Sequence, residues 1–337
     1  MDKKVKTTLI VALALFSAGV MIFLCVLMSV NFDYSKLSTS FRFGTNSEVR
    51  VKAEHIEKDI EAKGQNIKLQ LSSATVTVTQ STDDMIHVSY DNNENSYFEL
   101  KDSASQLTLT QKENAGFFFG FYYQQDTRCE VTLSIPAEHD GTLTINGASG
   151  SISISDVKIM GDFKIYSVSG EITIGNCKAK TLEAGNVSGN IKLTSVETDS
   201  IRANTVSGNL NVLEISKSIP VELASTSGEV YAENVNTSTL GVETVSGDIT
   251  LKNVVGQKAS FSATSGEVEL VSADFLEIFF SSTSGGISGT VSGASDDYTV
   301  YTSTLSGSNS LSSHKGRGER TLDLSSTSGD FEISFEK

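Results

Sequence analysis

The chain has 337 residues, of which 38% are apolar and 20% charged, with no tryptophan, two prolines, three cysteines and a formal charge of -15. Its apolar residues are too many and too regularly spaced for a disordered chain. Its acidity argues against nucleic acid and anionic lipid head groups as partners, since both need a positive footprint.

Leu9 to Val30 is a run of 22 residues without a charge. As a helix it spans roughly 33 Å, enough to cross a hydrocarbon core of about 30 Å. Lys3, Lys4 and Lys6 precede it, so the positive-inside rule keeps residues 1–8 in the cytoplasm and places everything after the run outside. A cleaved signal peptide has an apolar region of about 7 to 15 residues ending at a small-x-small site. Here the run is longer and ends Leu27-Met28-Ser29, so residues 9–30 are read as a retained single-pass transmembrane helix in the cell membrane. Beyond residue 30 the chain carries 23 basic and 40 acidic side chains, a net of -17.

Residues 31–66 read as a juxtamembrane tether with a short helix over Ala53 to Ala62. Residues 67–135 alternate apolar and polar side chains, as in Ile67, Leu69, Leu71 and Val76, Val78, but without a fixed period. They are read as irregular first coils or an N-terminal cap, which a solenoid needs to blunt its exposed end strands. Within them Phe117, Phe118, Phe119, Phe121, Tyr122 and Tyr123 crowd six aromatics into seven positions. They either cap the open end of the fold or form a patch that meets a partner or the bilayer interface.

From residue 136 to 337 the chain repeats. Ser-Gly recurs with glycine at 150, 170, 189, 208, 228, 247, 266, 285, 307 and 329, in steps of 19 or 20 residues and then two of 22. Seven and five positions before the glycine stand apolar pairs such as Phe163 and Ile165 or Leu182 and Ala184. Two and four positions after it stand Ile172 and Ile174 or Ile191 and Leu193, and seven after it Val157, Cys177, Val196 and Val254. Period-two alternation on both sides of the glycine means two short half-buried strands per repeat. A constant period means that each repeat lies on the one before, about 4.8 Å away, so that equivalent positions coincide. The fold class is therefore all-β, a parallel β-helix of about ten coils of 19–22 residues after one N-terminal transmembrane helix. A chain of hairpins in a sandwich or propeller is the rival arrangement. The Ser-Gly pair is expected to be a corner whose glycine accepts positive φ, with the serine bonding nearby backbone.

The residue after each glycine raises the question of chemistry. Glu229, Asp248 and Glu267 stack in consecutive coils, and three unpaired carboxylates about 5 Å apart repel, so a cation would relieve them. Calcium suits such oxygens, but the calcium nonapeptide of other β-rolls is missing and solvated turn residues are the competing reading. No nucleophile elbow occurs, and His55, His87, His139 and His314 are scattered without ligand spacing. No catalytic residue and no cofactor is assigned. Cys177 occupies a slot filled by valine elsewhere, which indicates a buried free thiol.

The run "VTLSIPAEHDGTLTINGASGSISISDV" followed by "SVSGEITIGNCKAKTLEAGNVSGNIKL" resembles a bacterial β-strand-repeat family of unknown function labelled "putative adhesin". Its hallmarks are the strand with Val131, Leu133, Ile135 and Pro136, and then Ser-Gly at steps of about 19 residues. The resemblance covers residues 65 to 335 and brings no catalytic residues. It implies a membrane-anchored protein of the cell envelope, with some members linked to envelope stress. The resulting expectation is a non-enzymatic surface scaffold for binding, sensing or adhesion, its partner an envelope protein or glycan. A purely structural envelope component is the alternative, and a carbohydrate-active β-helix enzyme the more distant one.

Overall fold

A computed structural model describes residues 54–93, 96–113 and 129–336, and every regular element there is a β-strand except one 3-10 turn, Ser295–Asp297. The span 9–30, the tether up to residue 53 and the aromatic run Phe117–Tyr123 lie outside the described residues. Among the described residues, no helix is long and apolar enough to cross a membrane.

The repeat folds as a parallel β-solenoid. In each turn a first-face strand meets a second-face strand at the Ser-Gly corner. The regular part begins with β8 (Leu143–Gly147), β9 (Ile152–Ser155), β10 (Phe163–Ser167), β11 (Ile172–Gly175), β12 (Leu182–Asn186), β13 (Ile191–Thr194) and β14 (Ile201–Thr205). On the first face β8, β10, β12 and β14 pair in parallel and in register, with Phe163 between Leu143 and Leu182. On the second face β9, β11 and β13 do the same, with Ile172 between Ile152 and Ile191. Further along, β15 (Leu210–Ser225), β16 (Val230–Thr244), β17 (Ile249–Ala263) and β18 (Val268–Ser282) run without a break from a second face to the next first face. Their middles form a third face where Ile215, Val235 and Val254 stack.

In-register stacking puts the spaced apolar positions into columns, and the columns are the core. Phe163, Ile165, Ile172, Ile174 and Cys177 are all buried, and so are their equivalents in neighbouring turns. Each such side chain contributes roughly 1.5 to 3 kcal/mol before chain entropy is subtracted. Among the described residues nine glycine-cornered turns have both strands; the remaining corner glycine, Gly307, follows β20 (Tyr298–Thr304) on a partial turn.

At both ends the stacking order departs from chain order. At the start, β2 (Asn66–Leu71) and β3 (Thr75–Gln80) lie directly on β8 and β9. The later strands β6 (Gln106–Glu113) and β7 (Glu130–Ile135) lie outside them. Antiparallel strands finish this end: β4 (Met85–Asn92) on β7, β1 (Glu54–Glu61) on β4, and β5 (Ser96–Asp102) on β6. At the far end β19 (Ile287–Ser292) lies on β18, and β20 (Tyr298–Thr304) skips a level. The chain then returns to insert β21 (Arg320–Ser326) between β18 and β20, and β22 (Phe331–Glu336) on β19. This return accounts for the two 22-residue steps. Arg320 fastens it, donating to Asp274 at 2.7 Å, to the Phe275 carbonyl and to the Tyr298 hydroxyl.

Two expectations need correction. The helix over 53–62 is strand β1 from residue 54 to 61, because Ile56 and Ile60, four apart, share a face in a strand as well as in a helix. The corner glycines do not adopt positive φ. Among the described glycines only Gly64, Gly289 and Gly293 do, while the left-handed positions at the next bend are Asp156, Asn176, Ser195, Glu214, Asn234, Asn253 and Ser272.

Candidate functional site

The ten-fold Ser-Gly corner is the most conspicuous candidate for chemistry. A side chain on any of its glycines would begin 1.7 to 2.2 Å from a carbonyl oxygen of the adjacent turn, and from Gly170 onward that oxygen belongs to another corner glycine. Glycine is needed for close approach of backbones. The preceding serine gives its N–H to the neighbouring turn, as Ser169 to the Ala148 carbonyl and Ser246 to the Thr226 carbonyl, both at 2.9 Å.

A third member of the corner lies three residues before the glycine, where the first-face strand ends. Ser167, Asn186, Thr205, Ser225 and Ser282 each accept the N–H of their own corner glycine at 2.6 to 3.1 Å. Asn186 and Thr205 also donate to the preceding glycine's carbonyl. Sequence reasoning missed this column, although its signal was available: small polar residues recur at positions where the alternation calls for a buried side chain.

The post-glycine residues stack as expected, Glu229 beside Asp248 beside Glu267, one position before the paired Val230, Ile249 and Val268. The short side chains in this column cap backbone. Asn190 Oδ1 accepts the Asn209 N–H, Asn209 Oδ1 the Glu229 N–H, and Asp248 Oδ1 the Glu267 N–H, at 2.9 to 3.0 Å. Among the described residues no group of three or more His, Cys, Asp or Glu converges to hold a metal ion. The three carboxylates share a column without enclosing a site.

The histidines are equally dispersed. His55 and His87 lie on the β1–β4 ribbon. His139 is buried against the Gln65 carbonyl at 2.8 Å, and His314 at the far end meets the Ser312 and Ser295 carbonyls, which raise its pKa. Cys177 is a free, buried thiol whose pKa burial pushes up to about 11; its Sγ donates to the Gly175 carbonyl at 3.0 Å. Cys129 is also free and buried.

A shallow depression of about 380 Å³ lies on the outer first face, where Ala224 and Gly241 interrupt bulkier side chains. Arg202, Asn204, Glu222 and Glu243 stand around it, and Arg202 is ion-paired to Glu222. Its lining contains no histidine, cysteine or lysine, and of its carboxylates Glu222 is held by Arg202.

The aromatic segment enters the described fold only through its flanks. It joins Glu113, the end of β6, to Cys129 and β7. Its two flanks, β6 and β7, form the outermost parallel turn at this end. The β1 strand, through which the chain arrives from residue 53, is at the same end.

These features define a class: a repeat solenoid whose recurring motif is spent on backbone packing. The chain belongs to the Toastrack DUF4097 family, whose model matches residues 64–334. No curated protein matches it. Among solved structures it is similar to a "putative lipid binding protein" from Parabacteroides distasonis, at 17% identity over 85% of this chain and 97% of that one, with a TM-score of 0.44. It is also similar to a "putative adhesin" from Parabacteroides merdae, at 13% identity over 86% and 98%, TM-score 0.39. Another "putative adhesin", from Bacteroides fragilis, matches at 13% identity over 83% and 97%, TM-score 0.35.

Proposed function

We propose that this protein is a non-enzymatic binding or sensing rod of the cell envelope, held by a transmembrane helix at 9–30 with its solenoid outside the cell. The observation that carries this reading is the use of the repeat. Serine, glycine and the polar residue three before it are committed to the corner in turn after turn, whereas a catalytic group is needed once. The anchor reading is supported by the position of β1, through which the chain reaches the fold at one end of the rod. The aromatic segment 114–128 joins the fold at that same end, which suits contact with the bilayer interface or an envelope partner. Calcium is not required by this reading.

A second reading, a purely structural strut, is favoured by ion pairs that link successive turns: Lys178 with Glu197, Lys217 with Asp199 and Lys252 with Glu233. Cells carrying the full chain are to be compared with cells carrying residues 1–53 alone, scoring attachment to glycan- or protein-coated surfaces and envelope-stress output under cell-wall antibiotics. Loss of either with the solenoid supports binding or sensing. No change in both, with altered envelope stiffness, supports the strut, and turnover of an envelope glycan by the full chain overturns the non-enzymatic reading.

A further inference from the structure

The β1–β4 ribbon carries two histidines, each held between two carboxylates. Its register places His55 opposite Asp91 and Asp59 opposite His87. His55 Nδ1 lies 2.7 Å from Asp91 Oδ1, and its Nε2 lies 3.3 Å from Glu57 Oε1 and from Ser89 Oγ. His87 Nδ1 lies 2.7 Å from Asp59 Oδ1 and its Nε2 2.8 Å from Asp83 Oδ1. A carboxylate only accepts, so at His87 both ring nitrogens must donate, and only the imidazolium has two N–H groups. In a neutral His87 ring one nitrogen presents a lone pair to a carboxylate oxygen. That contact is under 3 Å and must open. At His55 the Ser89 hydroxyl can instead donate to a neutral Nε2, so the demand there is weaker.

Among the described residues β1 pairs with β4 alone, through an eight-residue antiparallel register, and of its side chains it buries only Ile60 fully and Ile56 in part. Other charges facing the ribbon do not replace the histidines. Glu61 pairs with Lys63, the β7 residues opposite His87 and Ser89 are the uncharged Ser134 and Thr132, and the register continued by one residue brings Glu130 beside Asp91. Asp84 in the β3–β4 turn adds more negative charge.

We propose that β1 is a pH-set clasp: with His55 and His87 protonated it is fastened to β4, and with them neutral it leaves the end of the solenoid. Release adds eight residues, up to about 27 Å of extended chain, to the segment that precedes the rod. It also bares the outer edge of β4 for strand addition. The bracketing carboxylates raise both imidazole pKa values, Asp91 then Glu57 for His55, and Asp59 then Asp83 for His87. The fastening is thus complete at pH below the free-imidazole value and is lost as pH rises through the raised one.

Hydrogen exchange of the full chain in detergent, from pH 5.5 to 8.5 and corrected for intrinsic rates, tests this. Protection of residues 54–61 is expected to fall on the order of tenfold as pH rises, while β10–β14 stay constant. In a His55→Gln/His87→Gln double variant, residues 54–61 are expected to be weakly protected at every pH. A flat wild-type profile, the same slope in the variant, or an equal slope along the whole rod would overturn the proposal.

Discussion

The carbonyl oxygen of Gly228 stands 1.9 Å from where the side chain of Gly247 would begin. Two turns of backbone therefore meet where any other residue would put a carbon, and neither backbone can move without breaking register with its next neighbour. Gly247→Ala is expected to cost at least about 3 kcal/mol, above the usual range for an overpacked methyl because the obstacle is main chain. Ser246→Ala, which loses only an exposed 3.4 Å bond to the Thr226 carbonyl, is expected to cost under about 1 kcal/mol. Urea unfolding of the two variants checks the ratio.

The opposite result is expected one bend further on. Ser195 has φ of 52° and an exposed side chain. A left-handed conformation costs an L-residue roughly 1–2 kcal/mol, more than the roughly 0.5–1 kcal/mol of added chain freedom that glycine brings. Ser195→Gly should therefore stabilise the protein by roughly 0.5–1 kcal/mol, measured by the same unfolding curves.

Cys177 occupies the slot of Val157 and Val196 in the neighbouring turns, and its thiol pKa is pushed up to about 11 by burial. At pH 8 it should resist alkylation in the native protein and react only on unfolding, as read by mass spectrometry. Cys177→Val should change stability by less than about 1.5 kcal/mol.

The carboxylate column makes a simple demand of calorimetry. Because Asp248 caps the Glu267 N–H and the three acids enclose no site, millimolar calcium or chelator should leave Tm unmoved. A rise of several degrees with calcium, abolished by Asp248→Asn, would restore the cation reading.

The apolar columns were legible in the sequence because in-register stacking converts periodicity directly into contacts. Phe163, Ile165, Ile172 and Ile174 were placed in the core from their distance to Gly170 alone. Periodicity identifies equivalent residues, however, and does not say which copy is the neighbour. It therefore missed the insertion of β21 between β18 and β20, and of β2 and β3 inside β6 and β7. It also could not distinguish two reasons for glycine, positive φ and close approach, since both leave the same residue at the corner. The helix expected over 53–62 failed because Ile56 and Ile60 carry too little pattern to separate the two periods. Of the candidate sites, Asp248 was placed correctly in its column, but its hydrogen-bond duty was not legible.

The most direct test of the surface-rod account is cysteine labelling in intact cells with a membrane-impermeant maleimide. Tyr301, on the exposed first face of β20 with 56% of its surface open, is replaced in one variant and Lys6 in another. The account predicts that Tyr301→Cys is labelled in intact cells and Lys6→Cys only after permeabilisation. Labelling of Tyr301→Cys only after permeabilisation would contradict it.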